Sequence, residues 1–304
     1  MNNFIKYFYR IDIDKVIYNE KYYSFVYNGY LYRLYIYNDS IGDVKFLYDV
    51  NRKLIGNTLV SEIIINQQNE ILSTYNGISY ILLRIFVNVN KKITLDEISF
   101  LSRTLYREGI NVDWGILWSK KIDYLEDLIN ENGKKYPLIV DSFNYFVGMA
   151  ENAIEYFNSI GIDKRYKYVI SHKVIKKDNS VEVLYNPMNI TFDYRVRDVA
   201  EYIKNSFFNN NYNISNELIL YLKREQLSLM EVKLLISRLL YPSFYFEMYE
   251  DILIDNKEEK ILVDIISKLD DYEDYLAQVI SFFKINYDIE EVLWLKRRIT
   301  SINM

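Results

Sequence analysis

The chain has 304 residues, of which 50% are apolar and 26% are charged, so it can bury a sizeable core and is not a disordered chain. Its net charge of −5 disfavours a general nucleic-acid binder, because binding to phosphates requires a basic surface. Cysteine is absent and His172 is the only histidine, which excludes disulfides, thiolate chemistry and metal sites with several histidines. No secretion signal opens the sequence, and no uncharged apolar run approaches the roughly 18–20 residues of a membrane span, so we expect a soluble, intracellular protein.

Tyrosine is the most unusual part of the composition, with 31 residues. Two interpretations are open. Either low-GC codon usage, which also favours Ile, Asn and Lys, has enriched tyrosine without selection, or the tyrosines form a surface used for adhesion or cross-linking.

The first third of the chain has the pattern of an antiparallel sheet. Residues 22–27 and 30–37 are aromatic and β-prone, and Asn28-Gly29 lies between them. Asn-Gly supplies the two positive-φ positions of a type I′ turn, which predicts a hairpin, and the same pair recurs at Asn76-Gly77. Between the hairpins, apolar residues at helical spacing predict one helix packed on the sheet.

After about Val89 the apolar period becomes that of a helix. Thr94 and Ser228 each stand three residues before a glutamate, which is the pattern of a capping box. A long helix is predicted to begin near Asp141 or Ser142. Two short strands are predicted at 166–171 and 181–185.

These elements predict an α+β protein with a protein-kinase-like two-lobed fold. We place a small antiparallel β lobe with one helix at 1–89 and a larger, mostly helical C-terminal lobe at 90–304. This plan makes it useful to look for kinase parts in order. The glycine-rich loop is missing, since no glycine precedes Tyr22. The strand that should carry a phosphate-binding lysine offers Arg33, which either binds a phosphate or points into solvent.

The remaining kinase parts are degenerate. His172 follows a strand, as a catalytic loop requires, but Val174 stands where an acid should accept a proton. Thr191 occupies the slot of the metal-binding acid, which leaves Asp193 as a weak metal candidate. Loss of a proton-transfer group costs about 10²–10⁴ in rate, and loss of the metal removes charge neutralisation as well. We therefore expect no confident catalytic residue, with His172 hydrogen-bonded under the end of a strand.

Several segments resemble the YutH branch of the CotS-type spore coat proteins of endospore-forming Firmicutes, which are relatives of aminoglycoside phosphotransferases. The segments occur in the order of that family and lie between about residues 110 and 300. They are WGILWSKKIDYLE at 114–126, YPLIVDSFNYFVGMAENAIEY at 136–156, FDYRVRDVAEYIK at 192–204, LISRLLYPSFYF at 235–246, and the pair Trp294-Leu295.

The resemblance implies a kinase-like fold and a role in sporulation. It implies synthesis in the cytoplasm of the mother cell, followed by localisation to the spore coat, with other coat proteins as partners. No cofactor is required, although residual binding of ATP and Mg²⁺ is possible, and neither nucleic acid nor membrane is expected as a partner.

The resemblance also implies structural roles for certain polar residues. Asp198 matches an aspartate that is buried and caps local backbone amides in the relatives, and Arg197 and Glu201 lie near it. On the long helix, we expect three polar residues to be buried and hydrogen-bonded, since an unpaired buried polar group costs about 1–3 kcal/mol. These three are Asp141, Glu151 and Asn152.

Three functions follow, in order of preference. The first is a non-catalytic kinase-fold protein, a pseudokinase of the spore coat that acts by binding partners. The second is an active ATP-dependent small-molecule phosphotransferase of the aminoglycoside phosphotransferase type, with Asp193 as a displaced metal ligand. The third is an interaction protein whose tyrosines adhere or cross-link.

Overall fold

A computed structural model describes residues 1–38, 40–163, 165–176, 179–210 and 213–302. The chain forms two compact units: unit 1 is Met1–Tyr106 with Val169–Phe192, and unit 2 is Arg107–Tyr168 with Asp193–Met304. These units differ from the predicted boundary near Val89. The segment 169–192 belongs to unit 1 because it returns to the first part of the chain, as when the Ser61 amide donates to the Tyr185 carbonyl oxygen at 2.8 Å.

Unit 1 is built on an antiparallel sheet with the strand order β1-β2-β3-β6-β4, in which β5 also pairs with β6. Its elements before the return segment are α1 (Asn2–Tyr9), β1 (Ile17–Asn19), β2 (Tyr22–Tyr27), β3 (Tyr30–Tyr37), α2 (Ile41–Leu54), β4 (Glu62–Ile64), β5 (Ser73–Tyr75), β6 (Ile78–Ile85) and α3 (Leu95–Ser102).

Both predicted hairpin turns are confirmed. Asn28 and Gly29 have φ values of 48° and 79°, and Asn76 and Gly77 have φ values of 50° and 77°. These are the paired positive φ angles of a type I′ turn, whose twist matches that of the flanking strands.

The sheet carries apolar residues on both faces, and each face is covered by a helix. Leu82 lies in one cluster with Phe4 and Ile5 of α1, whereas Ile81 and Leu83 lie in another with residues of α2. Neighbouring side chains on a strand point to opposite faces, so α1 and α2 lie on opposite sides of the sheet. The sequence predicted a single helix here, and α1 was missed.

Unit 2 is mainly helical. The remaining elements of the chain are β7 (Tyr106–Arg107), α4 (Trp114–Asn132), α5 (Pro137–Asn158), β8 (Tyr168–His172), β9 (Ile190–Asp193), α6 (Arg197–Phe208), α7 (Ile214–Glu225), α8 (Leu229–Leu240), α9 (Ser243–Leu253), α10 (Ile261–Ser267), α11 (Leu269–Lys284) and α12 (Lys296–Ile302). Strands β7, β8 and β9 form a second sheet in that order.

Helix ends follow the predicted caps with two corrections. Ser228 and Glu231 form a complete capping box at the start of α8, whereas Thr94 accepts only the Glu97 amide at the start of α3. Helix α5 begins at Pro137 rather than near Asp141, because proline is well suited to the first helical position.

The predicted strand at 181–185 is wrong, since Val181–Val183 form a 3-10 helix. Its N-cap is Ser180, whose hydroxyl accepts a hydrogen bond from the Glu182 amide.

Among the described residues, no helix combines the length and the apolar character needed to cross a bilayer.

Candidate functional site

Arg33 on strand β3 is held by a carboxylate from a distant part of unit 1. Its Nη1 lies 2.6 Å from Oε1 of Glu182, and the two side chains are only 15% and 6% exposed. The guanidinium also lies over the ring of Tyr22, 4.2 Å from the ring centroid. Arg33 therefore does not point freely into solvent, and its positive charge is already matched by an internal anion.

Glu182 is placed in this position by the local structure of the return segment. The 3-10 helix at Val181–Val183 is fixed by the Val181 amide, which donates to the Lys91 carbonyl oxygen at 2.7 Å. Tyr35 on β3 adds a hydrogen bond from its hydroxyl to Glu182 Oε1 at 3.4 Å. Burial raises the pKa of Glu182, while the charge of Arg33 opposes that rise.

A second, half-buried acid, Glu97, also holds this segment. The Tyr185 hydroxyl donates to Glu97 Oε2 at 2.6 Å, and Lys91 pairs with the other oxygen of Glu97. Burial works to raise the pKa of Glu97, but the hydrogen bonds from Lys91 and Tyr185 outweigh it and lower the pKa. This explains why Glu97 does not close the predicted capping box.

The segment that the sequence predicts as a degenerate catalytic loop lies at the end of β8. His172 is 1% exposed, and its Nε2 lies 2.9 Å from the Leu184 carbonyl oxygen, which is the position under a strand end that the sequence predicts. Val174 is 50% exposed, and its backbone is held by Asn189. The Val174 amide donates to Asn189 Oδ1 at 3.0 Å, and Asn189 Nδ2 donates to the Val174 carbonyl oxygen at 2.8 Å.

Asp193, the metal candidate, is buried in unit 2 and is already bonded on both oxygens. Oδ1 accepts from Trp114 Nε1 at 3.0 Å and from the Tyr194 amide at 2.7 Å, and Oδ2 pairs with Arg197 Nε at 3.0 Å. Burial raises the pKa of Asp193, against the charges of Arg197 and Arg238. Among the described residues, no group of three metal-binding side chains occurs. A metal role for Asp193 thus remains a hypothesis.

Asp193 is the first member of a buried network of charges along helix α6. Arg197 also pairs with Asp198 at 3.1 Å, so one guanidinium bridges two carboxylates. One turn further on, Glu201 pairs with Lys204 at 2.9 Å and with Arg238 of α8 at 2.6 Å. Asp198 is 3% exposed, in agreement with its predicted burial, and Glu201, which was predicted to lie near it, is 7% exposed.

Lys204 closes this network. It is fully buried, and its Nζ also donates to the carbonyl oxygens of Arg238 and Tyr241 and to Ser243 Oγ, at 3.0, 3.1 and 2.6 Å. Burial lowers the pKa of Lys204 to about 8, although Glu201 opposes that change. Every donor of the ammonium group has an acceptor, as a buried charge requires.

Aromatic rings pack against one side of this network of buried charges. The guanidinium of Arg238 lies 4.9 Å from the ring centroid of Trp114 and 5.5 Å from that of Trp118. Trp118 stacks on Tyr241 at 4.4 Å. Three of the resembling segments, those containing Trp114, Arg197 and Arg238, therefore meet in one structural cluster.

Two of the three polar predictions on α5 are wrong. Asp141 and Glu151 are exposed, whereas Asn152 is half-buried and its Nδ2 donates to the Gly148 carbonyl oxygen at 2.7 Å. The helix buries the face that carries Ile139 and Met149. Asp141 and Glu151 lie two positions after those residues and so point to the opposite face.

The comparisons with known proteins agree with this architecture. The family model described as spore coat putative kinase YutH matches residues 2–279. The endospore coat-associated protein YutH of Bacillus subtilis (strain 168) is 28% identical over 206 residues, and this match spans 60% of the chain and only 61% of that relative.

Solved structures show the fold. An aminoglycoside phosphotransferase from Alicyclobacillus acidocaldarius superposes with a TM-score of 0.66 at 11% identity, over 90% of this chain and 93% of that one. A spectinomycin phosphotransferase superposes with a TM-score of 0.55 at 12% identity, over 97% of this chain and 95% of that one. The predicted kinase-like α+β fold is confirmed.

Proposed function

This chain belongs to the spore coat putative kinase YutH family, and from that premise we propose that it is a non-catalytic kinase-fold protein of the bacterial spore coat that acts by binding partner proteins. It is made in the cytoplasm of the mother cell, joins other coat proteins, and requires no cofactor for this role. The Bacillus subtilis relative carries endospore coat association in its name, which supports the location.

The pairing of Arg33 with Glu182 is the main observation in support of a protein that does not catalyse phosphoryl transfer. In kinases, a cation on the equivalent kind of strand binds the α- and β-phosphates of ATP. Here a carboxylate lies 2.6 Å from that cation. Active kinases also pair this cation with a glutamate, but that glutamate comes from helix αC. Here the partner is Glu182 of the return segment, which is buried and hydrogen-bonded, and its negative charge beside a phosphate weakens nucleotide binding.

The loop and the acid that follow support the same conclusion. Val174 has no side-chain group that accepts a proton. Both carboxylate oxygens of Asp193 are already bonded, to Trp114, Tyr194 and Arg197. A proton-transfer group contributes about 10²–10⁴ in rate, and phosphoryl transfer also depends on metal-borne charge. The residues best placed by sequence for these tasks are engaged in other contacts.

The tyrosines give less support to an adhesive surface. Of the thirty tyrosines that the structure describes, seven are exposed and fourteen are buried. Many of the buried rings stack in the core, as in the 3.6 Å pair of Phe146 and Tyr245. Since buried tyrosines outnumber exposed ones by two to one, the codon-usage interpretation is favoured over an adhesive surface.

Calorimetry with Mg²⁺ and ATP tests the proposal, together with a phosphotransfer screen against aminoglycosides. We expect no turnover from the wild-type protein and tighter nucleotide binding by Glu182→Gln, which frees Arg33. Glu62→Gln is the matched control, since Glu62 pairs with Arg84 on the same sheet.

Turnover by the wild-type protein would overturn the proposal in favour of an active phosphotransferase. In that event, loss of turnover in Asp193→Asn, with the fold retained, would assign the metal to Asp193.

A further inference from the structure

A small pocket in unit 2 has unsatisfied buried polar groups in its lining. It has a volume of about 180 Å³ and is lined by Asn152, Glu155 and Tyr156 of α5, by Ser159 directly after that helix, and by the segment Glu290–Leu293. This is several times the roughly 30 Å³ that a water molecule occupies in the liquid. Three of the lining residues lie in the MAENAIEY run of the family resemblance.

Two polar atoms at this pocket lack a hydrogen-bond partner among the described residues. The Tyr156 side chain is 5% exposed and its hydroxyl is buried, and Glu290 Oε2 is buried as well. Burial raises the pKa of Tyr156, and so do the charge of the Glu290 carboxylate and its approach to the Tyr156 hydroxyl. The two groups therefore face each other, but their geometry is not that of a regular hydrogen bond. Unsatisfied buried polar atoms are rare in folded proteins and can mark a binding position.

The charges around the pocket favour a cation. Glu290 pairs through Oε1 with Lys233 at 2.6 Å, and Glu291 pairs with Lys296 at 3.1 Å. Glu155 has no ion pair with any residue that the structure describes. The pairing of Lys233 shows that Glu290 accepts an ammonium group on one oxygen, while the other oxygen remains open.

We propose that this pocket binds a primary ammonium group. The ammonium donates one hydrogen bond to Glu290 Oε2 and one to the Tyr156 hydroxyl, and Glu155 supplies the unmatched negative charge. The alkyl stem of the ligand lies against Val292 and Leu293. The group comes either from a free alkylamine or from the lysine side chain of a protein partner, and neither source depends on whether the protein transfers phosphate.

The test is a titration of methyl-labelled full-length protein with n-butylammonium chloride, followed by NMR. We expect saturable shifts of the Val292 and Leu293 methyl groups. Tetramethylammonium at the same ionic strength has no N–H donor and should give none. Titration with Nα-acetyl-lysine methylamide separates the sources: tighter binding than butylammonium points to a lysine of a protein partner, and weaker binding to a free amine.

Variants complete the test. Tyr156→Phe and Glu290→Gln should each weaken butylammonium binding about tenfold, the loss of one hydrogen bond to a charged group. Tyr156→Phe removes a hydroxyl that has no partner, so the melting temperature should not fall. Tyr124→Phe and Glu126→Gln, on the exposed face of α4, are matched controls that should leave the affinity unchanged.

Three results would overturn the proposal. They are the absence of saturable shifts, equal shifts with tetramethylammonium, and unchanged affinity in folded Tyr156→Phe and Glu290→Gln. The first would mean that solvent alone satisfies the two buried atoms.

Discussion

The guanidinium of Arg33 and the carboxylate of Glu182 lie 2.6 Å apart although 149 positions separate them in the sequence. The contact joins the central strand β3 to the 3-10 helix of the return segment, and thus binds two distant parts of unit 1. It also places an anion beside the residue that sequence analysis selects for phosphate binding.

Removing this pair should destabilise unit 1. Glu182→Gln leaves the largely buried Arg33 without its counter-charge, so we expect a loss of about 1–3 kcal/mol in the free energy of unfolding, measured by urea denaturation. Glu62→Gln breaks the more exposed pair with Arg84 and should cost less than about 1 kcal/mol. Equal losses of unfolding free energy in the two variants would show that the Arg33–Glu182 pair stabilises the protein no more than the exposed pair does.

Glu201 should make the protein sensitive to acid. Burial works to raise its pKa, but Lys204 and Arg238 hold the pKa far below its usual value of 4.5. The unfolded chain therefore binds more protons than the folded one below about pH 4.5, so the stabilisation present at neutral pH is lost as the pH falls.

The check is the difference in unfolding free energy between the wild-type protein and Glu201→Gln. It should be about 3 kcal/mol at pH 7 and should narrow as the pH falls below 4.5. Glu126→Gln, on an exposed position of α4, should show no such trend. A difference that stays constant with pH would rule out Glu201 as the titrating group.

Lys204 should act at the alkaline end, with a slope of the same sign as that of Glu201. Burial lowers its pKa from 10.5 to about 8, so between these values the unfolded chain is the more protonated. The contribution of Lys204 to the free energy of unfolding therefore rises with pH through this interval. Comparing thermal unfolding of the wild-type protein and Lys204→Met from pH 7 to pH 10 tests this, and an advantage of the wild type that shrinks over the interval would contradict it.

Two glycines should respond in opposite ways to alanine. Gly29 has a φ of +79° in the first hairpin turn and no neighbouring atom within 4 Å of an added Cβ, so Gly29→Ala should cost about 1–2 kcal/mol through backbone strain alone. Gly148 lies within helix α5, where an added Cβ also meets nothing within 4 Å. Gly148→Ala should stabilise the protein by about 0.5–1 kcal/mol. Chemical denaturation measures both, and a stabilising Gly29→Ala would refute the strain argument.

Prediction from sequence succeeded where the determinants lie within a few residues. The type I′ turns at Asn28-Gly29 and Asn76-Gly77 and the capping box at Ser228 are in place, because each depends on backbone preferences and side chains within one turn. The capping box at Thr94 formed only in part, since Tyr185, from far along the chain, takes the Glu97 carboxylate. Helix α1 was missed because its role in covering one face of the sheet appears only when the sheet exists.

The candidate site shows the same division between features set by nearby residues and features set by distant contacts. His172 lies under the end of a strand as predicted, and Asp198 is buried as the family resemblance implies. Nothing local to Glu182 indicates that it meets Arg33, and nothing local to Tyr156 indicates that it shares a pocket with Glu290. Asp141 and Glu151 were predicted on the wrong face, because the start of α5 at Pro137 sets which positions turn toward the core.

By itself, the sequence determined the class of fold, the hairpins and one complete cap. These depend on residue type, spacing and family pattern, which the order of residues already contains. The tertiary structure alone decided which anion neutralises Arg33, how Arg238 joins Glu201 and Lys204, and which polar atoms are left unpaired. Such pairings join residues tens to more than a hundred positions apart, and only the packing of helices and sheet brings their charges within bonding distance.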